Sequence, residues 1–427
     1  MSPFARNLLV SFCLFVLASC GGKNNTAVTS HQDPGDFDDL IAYKPSSPYA
    51  ENMADCVRAS TDGQLCKLDT LPFIGMDVEQ PTVDDIMDHV VVSHTWMGER
   101  FEEILYALPE AILPIFKAVT AVVIDDDIRP AFYTSQTGAI YLDPAYLWLS
   151  VEEKLTINQK PDYRSGYSDP LAFRSFNQYL KDGQRVSSVG SLEDDSTRIL
   201  DDILYIIARL LLHELGHAND FFPPDTLEDI DRSDTAARAA SKIDNRQISA
   251  QLTQSDPLTS STMYSLAGVM FRGNTPSSAD LAITATEVGE AFEPDGAADD
   301  YAYSSVYEDT AMLFEITMMK YFFDVDYDIV FTDAPEDPTY CNYYIVRWGQ
   351  RNRIGDSDVK ARAQYVVSEL LPSLSTELFF QQLPIPETMP TDVDLCSIFS
   401  KSESGNLSKT SMPLRRMPSE GLRKPYL

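Results

Sequence analysis

The sequence predicts an α+β chain, with small sheet elements in the first third, one long apolar helix near the middle and further helical regions behind it. Three observations carry this. Between residues 118 and 142, short β-branched apolar runs are separated by turn signals. From Ser196 to about Asn219 the apolar spacing becomes helical and dense, and a second helical pattern runs from near Tyr307 to Phe323. The 427 residues can bury a large core, and 44% hydrophobic with 23% charged residues is the balance of a folded globular protein. That balance excludes wholesale disorder and collagen-like or coiled-coil architectures as the main story. The 65 acidic residues against 33 basic ones give a net charge of −32, which argues against a nucleic-acid partner because such a surface repels phosphate backbones.

At the start of the chain Arg6 precedes an apolar run from Leu8 to Val16, too short to span a bilayer as a helix. Residues 1–19 therefore read as a signal peptide. Leu17-Ala18-Ser19-Cys20 resembles the lipobox of bacterial lipoproteins, which implies cleavage before Cys20 and its acylation. Gly21 and Gly22 follow with no aspartate, and the resemblance then implies sorting to the outer membrane. No later segment has eighteen uninterrupted apolar residues. The expectation is a protein of the bacterial cell envelope that meets the membrane through its N-terminal lipid. Residues 20–50, rich in Gly, Asn, Ser, Pro and Asp, are expected to be a flexible tether, and 51–400 the folded domain. From Lys401 onward six basic residues stand against two acidic ones, so 401–427 is expected to be a disordered tail of net charge +4, leaving the rest of the chain at −36.

With Cys13 in the signal peptide and Cys20 lipidated, Cys56, Cys66, Cys341 and Cys396 remain. An even number suits two disulfides in an oxidising compartment. Of the three possible pairings, Cys56 with Cys66 and Cys341 with Cys396 is favoured, because each closes a loop within one region. No cysteine pair has CxxC-type spacing, which disfavours a cysteine zinc site.

Residues 84–117 have helical apolar spacing broken by Pro109 and Pro114. Ala118–Ile124 then reads as a buried strand, Ala131–Thr134 as a second, and Ala139–Leu142 as its hairpin partner after a turn at Gln136-Thr137-Gly138. The helix from Ser196 ends before Pro223-Pro224. Residues 225–300 are polar and read as short helices, and the region after Asp324 as mixed strands and helix. His89 and His94 are read as packing or surface histidines, and Asp295, Asp299 and Asp300 as an acidic loop without EF-hand spacing.

The chemistry is concentrated in His213-Glu214-Leu215-Gly216-His217 at the end of the long helix. At 100° per residue the second histidine lies 40° round from the first and one turn along, so both imidazoles can reach one ion. Zinc suits two neutral imidazoles, and Glu214, 100° away from His213, is placed to take a proton from a water rather than to bind the metal. Charged side chains directly after Ile206–Leu212 would be costly in a packed interior unless paired or metal-bound.

This HExxH helix resembles that of the zincin metallopeptidases. The resemblance implies a small mixed sheet over the helix, with an edge strand bordering a substrate cleft, and Ala139–Leu142 is the candidate edge strand. The metzincin extension is absent, because Asp220 replaces its glycine and Pro223 its distal ligand. In the gluzincin branch a Glu on a later helix is the third ligand, and Tyr307–Glu315 is the matching segment. It is similar to the anthrax lethal factor type, where HExGHxxD is followed by Glu-x-x-Ala and a tyrosine seven residues before the ligand. Those offsets imply metal ligands His213, His217 and Glu308, Glu214 as general base, Tyr301 as oxyanion donor and Ala311 in the second patch. A second Glu expected four residues after the ligand is Met312 here, so its supporting role passes to Asp309 or Glu315, with Asp220 a further supporting residue. The resemblance implies a zinc-dependent endopeptidase acting on a peptide or protein. The two rival readings are a non-catalytic, metal-binding zincin-fold lipoprotein with a binding or assembly role, and an envelope-binding protein in which HExxH is incidental.

Overall fold

Ile41–Ala42 (β1), Val90–Val92 (β2), Val122–Ile124 (β3), Phe132–Thr134 (β4) and Ala139–Leu142 (β5) form one sheet in the order β1-β2-β3-β5-β4. The computed structural model describes residues 37, 39–58, 65–186, 190–338 and 340–399. The expected signal peptide, Cys20 and the expected tail at 401–427 lie outside them. Strands β2, β3 and β5 run parallel, while β1 and β4 are antiparallel to their neighbours. The sheet is thus mixed, as expected. Its inner strands are apolar on both faces, every residue of β2, β3 and β5 being buried.

Two expectations need correction here. Ala139–Leu142 is an interior strand, because Val122 pairs with Ile140 on one side and Phe132 with Tyr141 on the other. The hairpin thereby puts β4 at the edge. The expected tether also ends early, since Ile41 and Ala42 pair with Val92 and Val91, and Phe37 and Leu40 are buried. Strand β2 falls inside the stretch read as helical. Three consecutive valines favour a strand where two partners are waiting, and the helical spacing is met on either side of them, by Val83–Met87 and by Thr95–Ala107.

A second sheet comprises Phe173–Lys181 (β6), Gln184–Arg185 (β7), Asp326–Asp333 (β8), Val346–Arg351 (β9) and Glu387–Thr388 (β10), in the order β10-β9-β8-β6-β7 and antiparallel throughout. The two disulfides are Cys56–Cys66 and Cys341–Cys396, the favoured pairing. No helix among the described residues is long and apolar enough to cross a membrane.

The long helix spans Leu200–Phe221 and the later one Val306–Phe323. The first begins with Asp201 and Asp202 in its first turn, where the helix dipole favours acids, and the Asp202 carboxylate accepts from the Ile199 N–H at 2.9 Å. From Ile206 to Asp220 every residue is buried, so this helix is enclosed on all sides. The later helix is buried continuously from Glu308 to Met319. Gly216 explains how closely the two approach. A Cβ at this position would stand 3.2 Å from the Phe314 ring and 3.5 Å from the Ala311 Cα. The small residues Gly216 and Ala311 therefore set the spacing that lets side chains of one helix meet those of the other. Gly216→Val is expected to destabilise the chain by about 2 kcal/mol through overpacking, read as a lower urea midpoint at unchanged m value.

Candidate metal centre

His213 and His217, one turn apart on the long helix, project their rings at 83° to one another. Their Nε2 atoms lie 3.2 Å apart. Glu308, near the start of the later helix, brings Oε2 to 3.1 Å from His213 Nε2 and 3.5 Å from His217 Nε2. Ser305 caps that helix by accepting from the Glu308 N–H at 3.2 Å, which fixes where the glutamate emerges. All three side chains are buried, and among the described residues they form the one group of histidine, cysteine or carboxylate side chains close enough to share an ion.

The donor set fits a zinc-like cation. Tetrahedral bonds of about 2.0–2.1 Å place their donor atoms roughly 3.3 Å apart, which is the spacing found here. Two imidazole nitrogens 3.2 Å apart repel unless a proton or a cation lies between them. Glu308 Oε2 and both oxygens of Glu214 are buried without completing a hydrogen bond. Unsatisfied carboxylate oxygens at a dry site are costly, and a cation relieves that cost.

Glu214 is fully buried and faces the backbone N–H of Tyr133 in β4, without hydrogen-bond geometry to it. This sets the carboxyl beside the edge strand. Burial, and behind it the carboxylates of Glu308 and Glu315, push the Glu214 carboxyl up to about 8 against the attraction of His213. Burial opposes charge on His213, but the carboxylates of Glu308 and Glu315 outweigh it and raise the imidazole to about 10. The Glu308 carboxyl resists burial in the same way and is held down to about 2 by the two imidazoles.

Without a cation, then, His213 and Glu214 both carry protons at pH 7. Each has a folded pKa above its ordinary value, so each stabilises the metal-free fold at low pH and loses that contribution as pH rises. The Glu214 contribution is complete below about 4.5 and lost through about 8; the His213 contribution is complete below about 6.5 and lost through about 10. The melting temperature of the chelator-treated chain is therefore expected to fall between pH 5 and pH 10. The fall is steepest between about 6.5 and 8, at about 1.4 kcal/mol per proton per pH unit. A zinc-loaded sample should lose that slope. A metal-free melting temperature that rises across the window would contradict the arrangement.

The expected supporting residues divide. Glu315, seven positions after Glu308 and so on nearly the same helix face, accepts from His213 Nδ1 at 3.0 Å. Asp309 does not support the site. It points instead to the helix Ser357–Leu370, where the Arg362 guanidinium binds both its oxygens at 3.0 and 2.5 Å. Asp220 touches neither imidazole; its Oδ1 accepts from the Ser249 N–H at 2.7 Å and caps the helix Ile248–Ser255. Tyr301 Oη donates to Glu308 Oε1 at 2.9 Å, whereas Tyr303 donates to Asp295 and Tyr307 stacks on Phe221 with ring centroids 4.8 Å apart. Asp295 also accepts from the N–H groups of Thr259 and Ser260, and Asp299 from that of Tyr301, so these two acids of the loop satisfy local backbone donors. His89 Nδ1 hydrogen-bonds the Thr120 carbonyl at 2.6 Å, a packing role, and His94 begins the helix Thr95–Ala107.

Two residues at the centre were not anticipated. Arg209 places Nε 3.2 Å from Glu315 Oε1, and Tyr179 in β6 donates to that same oxygen at 2.7 Å. A signal for Arg209 exists in the sequence, since a lone arginine inside Ile206–Leu212 must find a buried acid. Tyr179 has none, because its partner lies 136 residues away. No family model, curated protein or solved structure matches this chain.

Proposed function

We propose that this protein is a zinc-dependent peptide hydrolase of the zincin type, with His213, His217 and Glu308 holding the ion and Glu214 as general base. The observation that carries the reading is the meeting of three donor atoms, 3.1 to 3.5 Å apart, beside a buried carboxyl that no side chain among the described residues hydrogen-bonds. Charge supports it too: with Glu214 ionised and His213 a neutral ligand, three carboxylates stand against one arginine, and a divalent cation supplies the balance that the two protons on His213 and Glu214 supply without it. Zinc in such a setting acts as a Lewis acid on a carbonyl and lowers the pKa of water at its open position.

The chain's own residues supply the rest. A peptide laid along β4, the edge strand, would find backbone partners on its outer side and run past Glu214. Glu214 would take a proton from the attacking water and pass it to the departing nitrogen. Tyr301, whose hydroxyl now sits on Glu308, would turn its proton toward the oxyanion. The expected setting is the envelope of a bacterium, with the chain lipid-anchored at Cys20 to the outer membrane, and the two disulfides agree with an oxidising compartment.

One observation favours the rival reading of a metal-binding protein without turnover. His213, Glu214 and His217 have no exposed surface at all, so substrate must gain access before any chemistry. The test is to incubate the Cys20-lacking chain with a diverse peptide mixture, with and without chelator, and to read products by mass spectrometry. Chelator-sensitive cleavage supports the hydrolase; one bound zinc without cleavage supports the rival; no bound zinc removes both.

A further inference from the structure

We propose that Arg209 and Tyr179 are positioning residues of the metal centre, acting through Glu315 to fix which nitrogen of His213 faces the ion. The inference rests on the reading that His213, His217 and Glu308 hold one. An imidazole ligates only through the nitrogen that lacks a proton, and a hydrogen bond at the other nitrogen decides which that is. Here Nδ1–H donates to Glu315 Oε2 at 3.0 Å, so Nε2, which faces Glu308 and His217, is the nitrogen left to give up its proton and ligate an ion.

A glutamate alone would be a loose clamp, because its carboxylate can rotate and change partners. Glu315 is held at its other oxygen. Oε1 accepts from Tyr179 Oη at 2.7 Å and forms an ion pair with Arg209 Nε at 3.2 Å, a charge contact without hydrogen-bond geometry. The clamp draws on three elements: the two holding groups are Tyr179 from β6 of the second sheet and Arg209 from the long helix one turn before His213, and the held Glu315 comes from the later helix. All are buried: Tyr179 is 1% exposed, Arg209 5% and Glu315 1%. A buried guanidinium among Ile206, Ile207, Leu210 and Leu211 is expensive unless its acid partner must stay charged. A charged acceptor holds an imidazole N–H about twice as strongly as a neutral one, and that is the job the position gives Glu315. The arrangement is one-sided. Among the described residues His217 Nδ1 has no hydrogen-bond partner, so His213 is the anchored ligand and His217 the adjustable one.

The test uses the full chain loaded with zinc alone and follows zinc release to a chromogenic chelator. Tyr179→Phe and Arg209→Met are each expected to speed release about tenfold, and Arg209→Lys to recover part of that loss. In the Glu315→Gln background, Tyr179→Phe should add nothing, because its effect passes through the carboxylate. Tyr179→Phe removes a single oxygen, so that pair of comparisons decides the matter even where Arg209→Met fails to fold. Unchanged release in folded Tyr179→Phe, or an equal acceleration with and without Glu315→Gln, would overturn the proposal. A wild-type chain that takes up no zinc fails at the loading step, before any variant is compared, and identifies the underlying metal reading as the fault.

Discussion

Glu214→Gln should lower peptide hydrolysis by the zinc-loaded chain about 10³-fold, within the 10²–10⁴ that a positioned general base supplies. The substitution keeps the shape and the buried volume of the side chain and removes only the ability to accept a proton. Among the described residues no side chain hydrogen-bonds Glu214, and the backbone N–H of Tyr133 that it faces can be met equally by the glutamine oxygen. Zinc content should stay at one per chain, because the three converging donor atoms belong to other residues. Turnover at the wild-type rate with zinc retained would remove Glu214 from the chemistry. Loss of zinc together with activity would make it a ligand, against its position 100° round the helix from His213.

His217→Ala should weaken zinc binding by roughly 10²–10³-fold, a quarter of the 10–16 kcal/mol that a four-ligand zinc site typically provides. It removes one of three donors and leaves Glu308 without the farther of its two imidazole neighbours, at 3.5 Å. Asp309→Asn supplies the contrast. It breaks the bidentate pair with Arg362, both members of which are buried, and should cost about 3–5 kcal/mol of stability with zinc affinity unchanged. Competition against a chelator of known affinity measures the first effect and urea unfolding the second. If Asp309→Asn weakened zinc binding as much as His217→Ala does, the assignment of Asp309 to the fold rather than to the centre would be wrong.

The centre was legible in the sequence to the extent that its geometry is local. His213 and His217 are related by one helical turn, and that relation needs no tertiary information. Glu308 and Tyr301 needed the offsets of a resembling family, because nothing in a single chain reports that two helices about 90 residues apart will pack through Gly216 and Ala311. The hairpin at Gly138 was readable from its turn residues, and the glycine there takes up a φ of 74° that favours its residue type. Which of its strands lies at the edge was not, since that depends on β3 pairing with β5, a contact that turn chemistry does not specify. Strand β6 shows the same limit. Phe173–Lys181 mixes apolar and polar residues without clean alternation, and it becomes a strand by pairing with Asp326–Asp333, some 150 residues later. Asp309 and Glu315 could not be separated by spacing alone. A helical position fixes a direction, but the direction gains meaning only when Arg362 is seen on one side and His213 on the other.

The account depends most on one ion being bound by these three side chains. X-ray absorption at the zinc edge, on the purified chain with its metal content measured in the same sample, addresses that directly. One zinc per chain with two imidazole nitrogens and oxygen donors at about 2.0–2.1 Å is the expected result. A chain that carries no stoichiometric metal, or one whose zinc shell contains sulfur or survives His217→Ala unchanged, would contradict it.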